Sequence, residues 1–213
     1  MYSRVLKRAV DLTLAAAALV ALLPVFAVVS LGVWWDLGWP VMFRQQRAGL
    51  AGAPFTMIKF RSMRDGVDAQ GRPLPDAVRL TRLGQWLRRC SLDELPEIIN
   101  VLRGDMSIVG PRPLPVAYLP RYTAAQARRH EVKPGVTGLA QIRGRNATTW
   151  ARRLRLDVWY VDHQSPRLDA AILFATPVVV FRGSGVSQPG HATMTEFSGT
   201  PAAGPSLQEH LNG

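Results

Sequence analysis

Asp93 and Glu94 stand side by side within SLDELPEIINVLRGDMSIVGPRP, residues 91–113, in a chain with 26 lysines and arginines against 15 aspartates and glutamates. Adjacent carboxylates at such a place can cap a helix or act as an anionic nucleophile whose approach to a phosphate is eased by nearby cations. Ser91 and Glu94 fit the S-x-x-E capping box. Pro96 opposes that box. With Ser91 as N-cap it would be the fifth helical residue, its ring against the carbonyl of Leu92, where proline is not tolerated. The helix is therefore expected to begin at Asp93 to Leu95 and to end near Gly104. Both carboxylates then sit at its amino end, where free amides and the helix dipole favour negative charge. An N-cap role for Asp93 stays open at this point.

The cations that would serve such a nucleophile are near in sequence. Lys59 and Arg61 follow a hairpin pattern, Arg88 and Arg89 precede the dyad, and Arg112 lies between two prolines. Each taken singly is more often a solvated surface charge.

The elements that must position them can be read from periodicity. VMFRQQRAGLAGAPFTMIKFRSM gives two alternating runs around a Gly and Ala turn, a hairpin signal. Residues 65–77 read as a loop, and TRLGQWLRRC has helical spacing. After the dyad helix come a proline-rich turn, a charged helix from about Thr123 to His130, the loop KPGVTGLAQIRGRN and a helix from about Thr149 to His163. The apolar run LDAAILFATPVVVFR contains Pro177 and suits a bilayer surface or a buried core equally.

Leu12 to Trp35 holds 24 residues without a charge. A straight helix of that length measures roughly 36 Å, against about 30 Å of hydrocarbon. It is long enough to span. Pro24 at its centre predicts a break, and basic residues flank both ends, Arg4, Lys7 and Arg8 before and Arg44 and Arg47 after. Positive charge marks the cytoplasmic side, so a helix that enters and returns to the same face satisfies both flanks. A single span and a cleaved signal peptide are the competing readings; Asp11 and the lack of a small-x-small site weigh against the second. Trp34, Trp35 and Trp39 suit an interfacial depth or ordinary packing.

Composition narrows the function classes. The chain has 213 residues, 47% hydrophobic, with a formal net charge of +11. That is a folded body with a positive surface, suited to phosphate, nucleic acid or lipid headgroups. No nucleic-acid motif accompanies the charge, and the apolar segment argues against nucleic acid as partner. Cys90 is the only cysteine and the four histidines form no close pair, which argues against a disulfide or zinc site.

Over residues 1 to about 199 the chain resembles the bacterial sugar transferases known as monotopic phosphoglycosyl transferases. The resemblance rests on KRAVDL, the proline-centred apolar segment, FRQQRAG, FTMIKFRSM, LRRCSLDELPEIINVLRGDMSIVGPRP, KPGVTGLAQIRGRN and YVDHQS, in that order. It departs from the family at Leu23, where a serine often precedes the proline, and at Cys90, where Ser, Thr or Leu is commoner. The size and the ending GVSQPGHATMTEFSG are similar to the small members that use diacetylbacillosamine.

The resemblance implies an α+β, mainly α, monotopic membrane protein. Residues 1–36 would form a re-entrant helix broken at Pro24, residues 37–199 a cytoplasmic catalytic domain with a small β-hairpin and interfacial amphipathic helices, and residues 200–213 a loose tail. It implies transfer of a sugar 1-phosphate from a UDP-sugar to undecaprenyl phosphate at the cytoplasmic face of the bacterial inner membrane, with UMP released. The leading sugar is an N-acetylated amino sugar such as diacetylbacillosamine; UDP-galactose, UDP-glucose and UDP-N-acetylgalactosamine are the alternatives, and a non-enzymatic basic membrane scaffold is a remote one. Asp93 would be the nucleophile and Glu94 its partner, both holding Mg²⁺, with Lys59, Arg88, Arg112 and Arg145 around the phosphates. The apolar faces leave open a homodimer as well as lipid contact.

Overall fold

A computed structural model describes residues 4–72, 74–144, 148–182 and 196–199. The described residues form helices α1 (Arg4–Leu37), α2 (Asp76–Arg79), α3 (Arg82–Arg89), α4 (Glu97–Arg103), α5 (Ala124–Ala127), α6 (Leu139–Ile142), α7 (Trp150–His163) and α8 (Pro166–Arg182), with strands β1 (Met42–Ala48), β2 (Pro54–Phe60), β3 (Ser107–Val109) and β4 (Gly135–Thr137). The fold is mainly helical with a small hairpin, as the sequence leads one to expect. β1 and β2 pair antiparallel, Met42 opposite Phe60 and Ala48 opposite Pro54, while β3 and β4 pair parallel.

The first helix differs from expectation in one respect. It runs continuously from Arg4 to Leu37 with Pro24 inside it, where two half-helices were expected. A single proline removes one hydrogen bond and strains its neighbourhood, and a helix of this length and apolarity persists on either side of that defect. Its most apolar 18-residue window has a mean hydropathy of 2.6 and is largely exposed, so by length and composition it could cross a membrane.

Only one stripe of α1 meets the rest of the protein. Asp11, Ala15, Val29 and Val33 are its buried positions, recurring at helical spacing. Ala15 packs with Ile98, Val101 and Met106, and Ala18, Leu19 and Leu22 lie against that cluster. Val29 and Val33 pack with Val41, Phe60 and Leu87. Polar ties fix both ends: Lys7 Nζ lies 2.6 Å from Asp169, Arg8 donates to the carbonyls of Val101 and Leu102, Asp11 accepts from the Ile108 amide, and Arg61 donates to the Leu37 carbonyl. Leu12, Leu14, Val20, Leu23, Val28, Leu31 and Trp35 face outward.

Two further clusters complete the core. Val109, Leu139, Tyr160 and Ile172 tie α6, α7 and α8 to β3. Leu114, Tyr118, Leu154 and Phe197 form the other, which brings the 196–199 segment back onto α7. The tail at 200–213 lies outside the described residues.

Candidate active site

The turn that carries the dyad is built from both sides. Thr81 caps α3 by accepting from the Gly84 amide at 3.0 Å. Gly84 permits the close approach of α3 to the chain after β2, since a Cβ there would stand 1.9 Å from the Ser62 carbonyl oxygen. One turn later Arg88 donates Nε to Ser62 Oγ at 3.0 Å. After α3, Ser91 takes the left-handed conformation (φ 57) and redirects the chain into a single 3-10 turn, Leu92–Glu94.

The dyad thus precedes α4 instead of opening it. α4 begins at Glu97 with Pro96 at its N-cap, and Ser91 makes no side-chain cap. Proline is the physical reason. Pro96 has no N–H to donate to the Leu92 carbonyl, which accepts from the Leu95 amide at 3.3 Å instead, a three-residue bond in place of a four-residue one. Gly104, with φ 96, ends α4 as expected.

The two carboxylates occupy different electrostatic states. Glu94 accepts from Lys59 Nζ at 2.6 Å and from both terminal nitrogens of Arg112. Burial opposes its ionisation, yet Arg112 and Lys59 together outweigh burial and hold its carboxyl well below the usual range. Asp93 is buried, and its carboxylate makes no hydrogen bond or ion pair among the described residues. Burial, followed by the charge of Glu94, raises its pKa against the pull of Lys59, Arg88 and Arg112.

Asn100 holds this turn against the hairpin. Fully buried, it accepts from the Ile58 amide at 3.0 Å, donates to the Thr56 carbonyl at 2.7 Å and reaches Asp105 at 3.1 Å. α4 is thereby fixed to β2, which delivers Lys59 to Glu94. Behind them sits Glu97, buried, with Oε1 3.1 Å from Lys59 Nζ but outside hydrogen-bond geometry. Burial pushes its carboxyl up to about 7, because Lys59 is shared with Glu94 and compensates only in part.

Asp93, Glu94, Lys59, Arg88 and Arg112 open onto one cleft of about 490 Å³, also lined by Arg47, Arg61, Arg79, Tyr118, Trp150 and Arg153. The structure therefore brings together five of the six expected site residues; Arg145 lies outside the described residues. Lys59 and Arg112 emerge as the clamp on Glu94 as well as cleft cations. Among the described residues no group of three or more His, Cys, Asp or Glu side chains is placed to hold a metal ion.

Residues 2–183 match the profile of the bacterial sugar transferases. The chain belongs to that family. This sugar transferase is 52% identical over 200 residues to the uncharacterized sugar transferase EpsL of Bacillus subtilis (strain 168), covering 92% of this chain and 97% of the relative. It is 42% identical over 193 residues to the UDP-glucose:undecaprenyl-phosphate glucose-1-phosphate transferase of Escherichia coli (strain K12), covering 85% of this chain and 40% of the relative. It is 39% identical over 200 residues to the UDP-galactose-lipid carrier transferase of Erwinia amylovora, covering 86% of this chain and 42% of the relative. The chain thus spans nearly the whole of the first relative and less than half of the other two.

Sequence reasoning missed Glu97, Arg47 and Arg153 in this transferase. Glu97 was within reach: it follows Glu94 by three residues and lies beside Pro96. Arg47 and Arg153 are more than 100 residues apart in sequence, and no local spacing links them.

Proposed function

We propose that the cleft transfers a sugar 1-phosphate from a UDP-sugar to undecaprenyl phosphate and releases UMP, in two substitutions with Asp93 as nucleophile. The single observation that carries the reading is the asymmetry of the dyad. Glu94 is neutralised by Lys59 and Arg112, while Asp93 is buried beside it, raised in pKa and without a hydrogen-bond donor among the described residues. A desolvated carboxylate of raised basicity, surrounded by cations, is suited to attack a phosphorus that bears negative oxygens.

In the first step an Asp93 oxygen bonds to the phosphorus next to the sugar. The bond from that phosphorus to the bridging oxygen breaks, and the electron pair leaves with UMP. In the second, an oxygen of undecaprenyl phosphate displaces Asp93 from the same phosphorus and restores the free carboxylate. Arg88 and Arg112 face the phosphate oxygens during both steps, and Glu94, held by its cations, fixes the turn that presents Asp93.

The donor set suits Mg²⁺, which binds proteins through one or two carboxylates and takes its remaining ligands from water and phosphate. Both oxygens of Asp93 lack donors among the described residues. Glu94 Oε2 accepts one hydrogen bond and keeps a second acceptor position. Asp93 and Glu94 would hold the ion, which would supply neutralisation of the diphosphate charge.

The sugar is proposed from the relatives. Those named above for a sugar act on UDP-glucose or UDP-galactose, so a UDP-hexose of that kind is favoured here over the expected diacetylbacillosamine, which finds no support among them. The membrane reading is monotopic, with both ends of α1 on the cytoplasmic face of the bacterial inner membrane. It is supported by the docking of both ends on one polar body and by the outward apolar face between them. Exposed Phe174 and Val178 on α8 fit an interfacial helix of the same body.

UMP release from membranes containing the protein, screened across UDP-sugars with added undecaprenyl phosphate, tests the assignment. Release with UDP-glucose or UDP-galactose is expected, and Asp93→Asn should abolish it. Release by Asp93→Asn at the wild-type rate would sink the mechanism.

A further inference from the structure

Seven basic and four acidic side chains line the cleft. Glu94 is paired with Lys59 and Arg112, and Asp65 and Asp76 lie 3.9 and 4.0 Å from Arg61 and Arg79. Arg47 stands apart from these pairs. β1 carries it into the cleft wall, where it donates to the neutral Gln45 Oε1 at 2.6 Å and makes no ion pair among the described residues. Its buried Nε has no acceptor there. Arg153, buried on α7, opens onto the same cleft with its guanidinium 5.2 Å from the centre of the Trp150 ring.

Burial, then repulsion by Arg112, pushes Arg47 and Arg153 down to about 10, which leaves both charged at neutral pH. Both guanidiniums thus lie within reach of the charge of Arg112, which is itself paired with Glu94. Beside them Tyr118 meets Trp150 edge to face, with ring centres 5.7 Å apart. Tyr118 packs with Leu114, Leu154 and Phe197, a cluster that no residue of α1 joins. A buried Arg153 and a half-buried Arg47 next to an aromatic wall fit an anion that carries a flat ring.

We propose that Arg47 and Arg153, with the Tyr118 and Trp150 wall, form the subsite for the departing nucleoside monophosphate. The proposal rests on the UDP-sugar reading above. When Asp93 bonds to the phosphorus next to the sugar, the electron pair of the broken bond stays on the bridging oxygen, which becomes an oxygen of the UMP phosphate. Negative charge therefore grows on the nucleotide side, where a preorganised guanidinium pair stabilises it. An undecaprenyl phosphate headgroup has the same phosphate chemistry but no flat ring to match the aromatic wall, and it reaches the cleft from the membrane face that α1 defines.

The test titrates UMP into the full chain in lipid nanodiscs, comparing wild type with Arg47→Gln, Arg153→Gln and Arg153→Lys. Arg128→Gln serves as the control, because that exposed arginine pairs with Glu131 and Asp162 away from the cleft. Each Gln variant is expected to bind UMP at least about tenfold more weakly, the loss of a charged hydrogen bond. Arg153→Lys should fall between, since lysine keeps the charge and loses the planar fork. KM for undecaprenyl phosphate should stay within about threefold in all of them. UMP affinity unchanged in both Arg47→Gln and Arg153→Lys, variants that test the pair even where Arg153→Gln does not fold, would overturn the proposal. So would a raised KM for undecaprenyl phosphate with unchanged UMP binding, which would mark a lipid headgroup site. Failure of the underlying reading is distinguishable, because wild type would then release no UMP from any UDP-sugar.

Discussion

Two neighbouring carboxylates end up in opposite states because their surroundings differ. Glu94 is held by a lysine and a bidentate arginine, whereas Asp93 is desolvated next to that filled charge. Without metal bound, Asp93 should titrate above the ordinary aspartate value of about 4 in an NMR titration of its carboxyl carbon; a titration at or below that value would contradict the raised basicity. Glu97 gives a stability test. Its pKa in the fold is about 7 against an ordinary 4.5, so the stability it contributes is full below about pH 4.5 and is lost as pH rises through about 7. Glu97→Gln cannot ionise, and it should flatten the pH dependence of stability across that range and exceed wild type at pH 8 in denaturant melts. Equal losses at pH 5 and pH 8 would refute this. The dyad and its nearby cations were legible because proline, glycine and charge sit within one short stretch. Glu97 was not singled out, because a glutamate at a helix start looks like a capping or surface residue until its burial is known.

At the scale of elements, the site depends on α4 being fastened to β2. Asn100 does this with three hydrogen bonds, two of them to backbone groups of β2. Asn100→Ala leaves the Ile58 amide and the Thr56 carbonyl unpaired, at about 1–3 kcal/mol for each buried group. A stability loss of about 2–4 kcal/mol is expected by chemical denaturation, together with a fall in kcat as Lys59 drifts from Glu94; a change below about 1 kcal/mol would show that the fastening lies elsewhere. The hairpin followed from alternation, α3 from helical spacing, α7 from the stretch Thr149 to His163 and α8 from an apolar run, whereas the caps Thr81 and Thr149 were seen only in the fold. β3 and β4 did not. Each has three residues, too few to show a period, and their pairing is imposed by the crossing of Gly110 and Gly135, where a Cβ on Gly135 would stand 2.1 Å from the Gly110 nitrogen. Pro24 predicted a broken helix, and the continuous α1 shows that one missing hydrogen bond does not end a long apolar segment.

At the scale of the whole molecule, α1 is both anchor and scaffold. Its inward stripe packs on the turn-bearing body, and its outward face carries a run of exposed apolar side chains. In intact cells, single cysteines at Val5 and Trp35, introduced after Cys90→Ser, should both resist an impermeant thiol reagent; labelling of either from outside would show that α1 spans the bilayer and would separate the ends that the fold holds together. The central claim concerns Asp93, and it is tested most directly by the intact mass of the protein after exposure to UDP-glucose or UDP-galactose without undecaprenyl phosphate. A mass increase of one sugar phosphate, removed by adding undecaprenyl phosphate and absent from Asp93→Asn, is the predicted result. UMP release from the wild type with no such adduct on rapid quenching, or the same adduct on Asp93→Asn, would contradict it.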